Sequence, residues 1–274
     1  MEINESLALT HSIRYAKKFG FISKSFFWDH FCTRSRATNF RYWKSLLDSG
    51  AFLPYKEFNG ADEYYYLNTK SALASQVLIE PVGKRSSLYL YHDEQAMRFI
   101  SSLEKLNLIK NFWTELELKC DRSLSYRVLG GEPNKVPDLV FDLNCPGETF
   151  RTALEIEATR KSKEKYYKSV LGYSDFKKID LILYGISQNT IAAAINGEIN
   201  RSYFSKLKSK IAFYFLTEFN DSGTSCDLKI NSRSISIENF YKNIVDLKTK
   251  ASNIERDKTE TPVSPSFSEN KESL

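Results

Sequence analysis

Three carboxylates and a run of lysines in the middle of the chain are spaced as phosphodiester chemistry would need them. Pro137-Asp138 lies in the run VPDLVFDL, and Glu155-Ile156-Glu157 lies in the run TALEIEATR. The intervening Asn144-Cys145-Pro146-Gly147 is a turn signal, so the two runs read as the strands of a hairpin. Residues two apart on a strand share a face, which points Glu155 and Glu157 one way and Leu154, Ile156 and Ala158 the other. Asp138 falls on the adjacent strand. A third carboxylate converging on that pair makes a hard-oxygen site suited to Mg2+ or Mn2+. Such an ion turns bound water into a nucleophile and offsets the charge that develops on a phosphate. Lys161, Lys163 and Lys165 open the next helical run, and residues 160–178 carry seven Lys or Arg against two acids. Cations there could orient water and hold a nucleic-acid backbone. The competing reading is an edge hairpin whose Glu155 and Glu157 face solvent and pair with lysines at little energetic consequence.

Further candidates flank this segment. Glu115, in NFWTELELK, could supply a fourth carboxylate, although a Glu115, Glu117, Lys119 alternation equally describes the solvated face of a strand. Tyr166 and Tyr167 have the chemistry of tyrosine nucleophiles, but Tyr166, Val170 and Tyr173 share a helical face and read as core.

These residues need a scaffold, and from about Leu88 onward the pattern supplies one. HDEQAMRFISSLEKLNL reads as a helix with Met97, Ile100, Leu103 and Leu108 inward, and NFWTELELK as a strand. After an irregular excursion (SLSYRVLGGEPNK) come the hairpin, the lysine-bearing helix, the strand KIDLILYGI, a helix around NTIAAAINGEI, and the strand IAFYFLTEF. The order predicts a mixed α/β (α+β) fold, with helices on the faces of a mixed sheet. A peripheral hairpin and helix follow, and residues 251–274 are too polar to pack and are expected to be disordered.

The first seventy or so residues have a different character. A helix ends near Gly20, KSFFWDHF forms a second with Phe26, Phe27 and Phe31 inward, and Ser35 caps a third, in which Phe40, Trp43, Leu46 and Leu47 are spaced as an inner face. Two β-prone runs, AFLPY and YYYLN, then flank an Asn59-Gly60 turn. This reads as a winged helix-turn-helix. Between Arg14 and Lys44 there are eight basic residues and one acid, Asp29, a net +7 against +5 for the whole chain. Arg34, Arg36, Asn39, Arg41 and Lys44 are left to contact phosphates and base edges of duplex DNA. The competing use of such a module is protein docking.

Composition narrows the class. In 274 residues, 42% hydrophobic and 27% charged is ordinary for a globular chain, with room for two domains, 1–80 and 88–248, joined by a linker. No apolar run is long enough to span a bilayer and the first residues lack a signal pattern, so a cytoplasmic protein with no membrane partner is expected. Cys32, Cys120, Cys145 and Cys226 are far apart, which argues against a zinc knuckle or a disulfide framework.

Taken in order, Pro-Asp, hairpin, Glu-x-Glu and lysine-bearing helix resemble the PD-(D/E)XK nuclease superfamily. The chain resembles more closely the replication-relaxation and MobC-type mobilisation relaxases of plasmids and integrative elements. That likeness rests on RYWKSLLDSGAFLP and YYYLN, His92-Asp93 opening a helix, FWTELELK, VPDLVFDL, ALEIEATRKSKEKYYKSVLGY and DLILYGIS, over about residues 8–215. It implies a winged helix followed by a restriction-endonuclease-like sheet. Asp138 and Glu155 would be metal ligands, with Glu157 where most superfamily members carry Lys and a helix lysine such as Lys161 standing in. His92 would join the site as proton shuttle or metal neighbour, unless it is only a helix N-terminal His capped by Asp93. The implied function is metal-dependent nicking at an origin-like duplex site of a mobile element, alongside other mobilisation or replication proteins. The alternative is an inactive nuclease-like DNA-binding regulator or replication accessory factor.

Overall fold

The computed structural model describes residues 5–31, 35–55, 62–71, 86, 89–131 and 134–259. Cys32, Arg34, the Asn59-Gly60 turn, most of the expected linker and residues 260–274 lie outside the described residues.

The N-terminal region runs α1 (Glu5–Phe19), β1 (Ile22–Ser23), α2 (Lys24–Phe31), α3 (Arg36–Asp48), β2 (Phe52–Pro54) and β3 (Tyr64–Leu67). The left-handed Gly20 (φ 82°) stops α1, a conformation that costs glycine no Cβ clash. The Ser23 hydroxyl accepts from the Phe26 amide at 3.0 Å and that of Ser35 from Thr38 at 3.4 Å, capping α2 and α3. The three short strands form an antiparallel sheet in the order β1-β3-β2.

The phase of α3 differs from the sequence expectation. Its buried stripe is Asn39, Tyr42, Trp43 and Leu46, at spacings of three and four, whereas Phe40 is 58% exposed. Asn39 therefore faces the interior, and its Oδ1 has no hydrogen-bond partner among the described residues. Trp43 determines this phase by packing against Phe27 and Tyr65, and the residue four before it must then turn inward.

The second region runs α4 (Leu90–Lys105), β4 (Ile109–Thr114), α5 (Glu115–Cys120), α6 (Arg122–Leu129), β5 (Leu139–Leu143), β6 (Arg151–Glu157), α7 (Lys163–Ser174), β7 (Leu181–Ile186), α8 (Asn189–Ile199), a 3-10 stretch (Ser202–Lys210), β8 (Ile211–Phe215), α9 (Leu216–Ser222), β9 (Asp227–Ile230), β10 (Arg233–Ser236) and α10 (Ile237–Thr259). Seven strands form a mixed sheet in the order β10-β9-β8-β7-β6-β5-β4. β6, β7 and β8 are parallel, linked by crossovers through α7 and α8, and the remaining pairs are antiparallel. Among the described residues no helix is long and apolar enough to cross a membrane.

Three expectations shift. NFWTELELK is strand only to Thr114, where a capping box ends it: Thr114 Oγ1 accepts from the Glu117 amide and the Glu117 carboxylate from the Thr114 amide. The supposed excursion contains α6, capped by Asp121 and ended by the left-handed Gly130. α10 continues through Thr259, beyond the point where a tail was expected.

Alternation along the strands divides the core. Leu139, Leu154, Ile156 and Leu183 face a cluster that includes α4 and continues into the N-terminal helices. Val140, Ala153, Ile182, Tyr184 and Ile186 face a second cluster under α7 and α8. Glu155 and Glu157 share the second face by parity.

Candidate functional site

The site lies where the β5–β6 ladder stops. β5 starts at Leu139, paired with Leu154, so the Ile156 amide lies beyond the ladder. The carboxylate of Asp138 takes the missing strand's place, accepting from that amide at 2.7 Å. His92, in the first turn of α4, reaches the same point from the opposite face of the sheet. Its Nε2 is 2.9 Å from the Ile156 carbonyl oxygen and 3.3 Å from Asp138 Oδ2, and its Nδ1 is 3.1 Å from Asp93 Oδ1. Acceptors at both ring nitrogens suit an imidazolium. Burial works against that charge, but Asp138 and then Asp93 outweigh it and push the His92 pKa up to about 11. Burial likewise opposes ionisation of Asp138, and His92 together with Lys135 holds its pKa below the usual value. His92 is thus more than a capped helix N-terminus.

Glu155 and Glu157 are 2% and 1% exposed, so the solvated-hairpin alternative does not describe them. Lys135 Nζ lies 2.5 Å from Glu155 Oε2 and 2.6 Å from Ser169 Oγ, and the Tyr173 hydroxyl donates to Glu155 Oε1. A Cβ on Gly172 would stand 2.8 Å from Lys135 Cβ, so this glycine lets α7 approach the segment that delivers the lysine. Burial raises the Glu155 pKa to about 7 despite Lys135. Glu157 Oε1 accepts from Lys161 Nζ at 2.7 Å, while its buried Oε2 has no hydrogen-bond partner among the described residues. Burial disfavours the Lys161 charge, but the bond to Glu157 more than restores it. Burial pushes the phenols of Tyr173 and Tyr184 well above the ordinary value. Tyr173 is a buried donor, and Tyr166 is likewise core.

Sequence reasoning missed Lys135, Ser169 and Tyr173. The only mark of Lys135 is a basic residue three positions before Asp138, and its role depends on a close approach that periodicity does not encode.

The remaining candidates separate by position. Glu115 is on α5, with its carboxylate 2.5 Å from Lys119 Nζ and its amide donating to the Asp138 carbonyl at 3.0 Å. Lys163 and Lys165 are exposed in the first turn of α7. Arg36, Arg41 and Lys44 are exposed on α3 and make no ion pair among the described residues.

Oxygen donors of this kind suit a hard divalent cation, and the unpartnered Glu157 Oε2 is an acceptor such an ion could use. The present spacing does not gather them, for among the described residues no three His, Cys, Asp or Glu are grouped to hold a metal. Lys135 and Lys161 already occupy Glu155 and Glu157 and would have to give way. As arranged, the site is two buried carboxylates and a half-buried one, each beside its own basic group: Lys135 at Glu155, Lys161 at Glu157 and His92 at Asp138. In comparisons with known proteins, no family model, curated protein or solved structure matches the chain.

Proposed function

We propose that the chain is a DNA-binding, metal-dependent nicking protein of the mobilisation or replication-relaxation type. Its N-terminal region would serve as a winged helix and its sheet as a PD-(D/E)XK-like nuclease domain. What supports this reading is that Asp138, Glu155 and Glu157 lie at the same end of adjoining strands, and that Glu157 Oε2 is buried with no hydrogen-bond partner among the described residues. Asp138, Glu155 and Glu157 would hold Mg2+ or Mn2+, which supplies an activated water and offsets phosphate charge. The order α2, α3, β2, β3, with Arg36, Arg41 and Lys44 outward, supports duplex binding through α3. Displaced from their carboxylates, Lys135 and Lys161 could hold the phosphate. His92, with both ring nitrogens on acceptors, positions Asp138 and does not shuttle a proton at neutral pH.

The test is conversion of supercoiled plasmid to open circle with Mg2+ or Mn2+. Wild type should nick, while Asp138→Ala and Glu155→Ala should bind duplex DNA without nicking. Wild type that binds but nicks with neither metal would leave the second reading, a DNA-binding regulator or accessory factor with an inactive nuclease-like site. One observation favours that alternative: every carboxylate of the cluster already has a cation.

A further inference from the structure

Beside the carboxylates, on the same sheet face, lies a cleft of about 400 Å3 between α8, the end of the 3-10 stretch and the β9–β10 hairpin. Its floor is Ile211, Phe213 and Phe215, alternate residues of β8. One wall is a stripe of α8 carrying Asn189 and Asn196 and ending at Asn200. Facing it are Lys229 and Asn231 of the hairpin, and Lys208 closes one end.

We propose that this cleft binds an unpaired nucleic-acid strand and guides it past Glu157. The chemistry differs from that of the carboxylate site. No acid is among the lining residues described, and Lys208 and Lys229 have no ion pair among the described residues, leaving both charges for phosphates. The Asn189, Asn196, Asn200 and Asn231 side chains make no hydrogen bond among the described residues, so their amides can offer donors and acceptors to base edges. Lys229 Nζ sits over the half-buried Phe215 ring, 4.7 Å from its centroid, so a base stacking on that ring would take the ammonium's place and leave the flexible lysine to follow the phosphate. Unpaired cations, free amides and an aromatic floor together match a strand whose bases are exposed.

Register connects the cleft to the site. Glu157 is the parallel partner of Ile186, and Ile186 that of Phe215. Neighbouring strands lie about 4.8 Å apart, so Phe215 is about 10 Å along the sheet from Glu157. Both lie at the carboxyl ends of the parallel strands, where open α/β sheets commonly bind ligands. The biological sense of this assignment rests on the nuclease reading, but binding is measurable without cleavage.

The experiment is fluorescence anisotropy of a short labelled single strand with the full chain in EDTA, with duplex binding and plasmid nicking measured on the same preparations. Wild type should bind the strand. The Lys208→Glu, Lys229→Glu double variant should lower the salt slope by about 0.7 per lysine, the value expected for single-strand phosphate contacts. Phe215→Leu, which keeps an apolar floor, should weaken binding about fivefold or more through lost stacking. An unchanged melting temperature, with unchanged duplex binding, shows that these variants are folded. Single-strand affinity that ignores both changes, or that falls only in Arg36→Ala, Arg41→Ala, would overturn the proposal. So would competition by free mononucleotide as effective as by the strand, which would assign the cleft to a small ligand. Failure to nick plasmid with metal, alongside cleft-dependent strand binding, would sink the nuclease reading and leave this one standing.

Discussion

α1 and α3 are both basic helices of the N-terminal region, and the sequence alone gives little reason to treat them differently. In the structure their charges have separate uses. Arg14 of α1 pairs with Glu104 at the end of α4, at 2.7 Å, and Tyr15 donates to the same carboxylate. Lys18 reaches Glu117 at 2.8 Å and the Phe112 carbonyl at 2.9 Å, next to the capping box that ends β4. These cations attach the first region to the second, and Lys24 of α2 is similarly taken by Glu63 at 2.5 Å. Arg36, Arg41 and Lys44 of α3 make no ion pair among the described residues. A net charge of +7 between Arg14 and Lys44 therefore overstates the charge left available to a partner. What separates a structural cation from an available one is whether a carboxylate lies within reach after folding.

The strongest test of this contrast is Lys18→Met. It leaves the mostly buried Glu117 without its cation, and breaking such a pair should cost about 3 kcal/mol in urea denaturation. Duplex affinity measured well below the unfolding midpoint should not change. A stable variant with weakened DNA binding would place Lys18 in the DNA interface instead.

A pH series extends the contrast to the carboxylate site. The folded Glu155 holds its proton to about pH 7, against an ordinary 4.5, so the folded state binds more protons and stability should fall as pH rises between those values. His92 holds its proton to about pH 11, against 6.5, so the stability it contributes is full below 6.5 and is lost as pH rises through that higher window. Glu155→Gln should flatten the first decline, on the order of 3 kcal/mol, and leave the second. A wild-type curve that rises from pH 4.5 to 7 would contradict the burial cost assigned to Glu155.

Arg36→Ala with Arg41→Ala should weaken duplex binding and reduce the salt slope by about 0.9 per residue, with little change in melting temperature. An unchanged slope would move α3 to protein docking. The smallest effect should come from Glu115→Ala. Its i, i+4 pair with the exposed Lys119 should contribute only about 0.3–0.5 kcal/mol to a denaturation curve.

Elements whose signal is local are legible in the amino-acid order. The hairpin of β5 and β6, the apolar β7, the helix from Asn189 to Ile199 and the caps at Ser23 and Ser35 all follow from periodicity, turn residues and single hydroxyls. Strand parity likewise placed Glu155 and Glu157 on one face. The capping box at Thr114 was also written locally, as T-x-x-E, but the alternation of Glu115, Glu117 and Lys119 masks it. The burial of those glutamates comes from packing, because α7 and α8 cover their face of the sheet. Packing also decided that Lys135 meets Glu155, through the approach Gly172 permits, and that His92 meets Asp138 from the other side of the sheet. It turned Asn39 inward and Phe40 outward, because Trp43 fits between Phe27 and Tyr65. Each of these outcomes depends on a neighbour distant in sequence, so no periodicity within the segment records it.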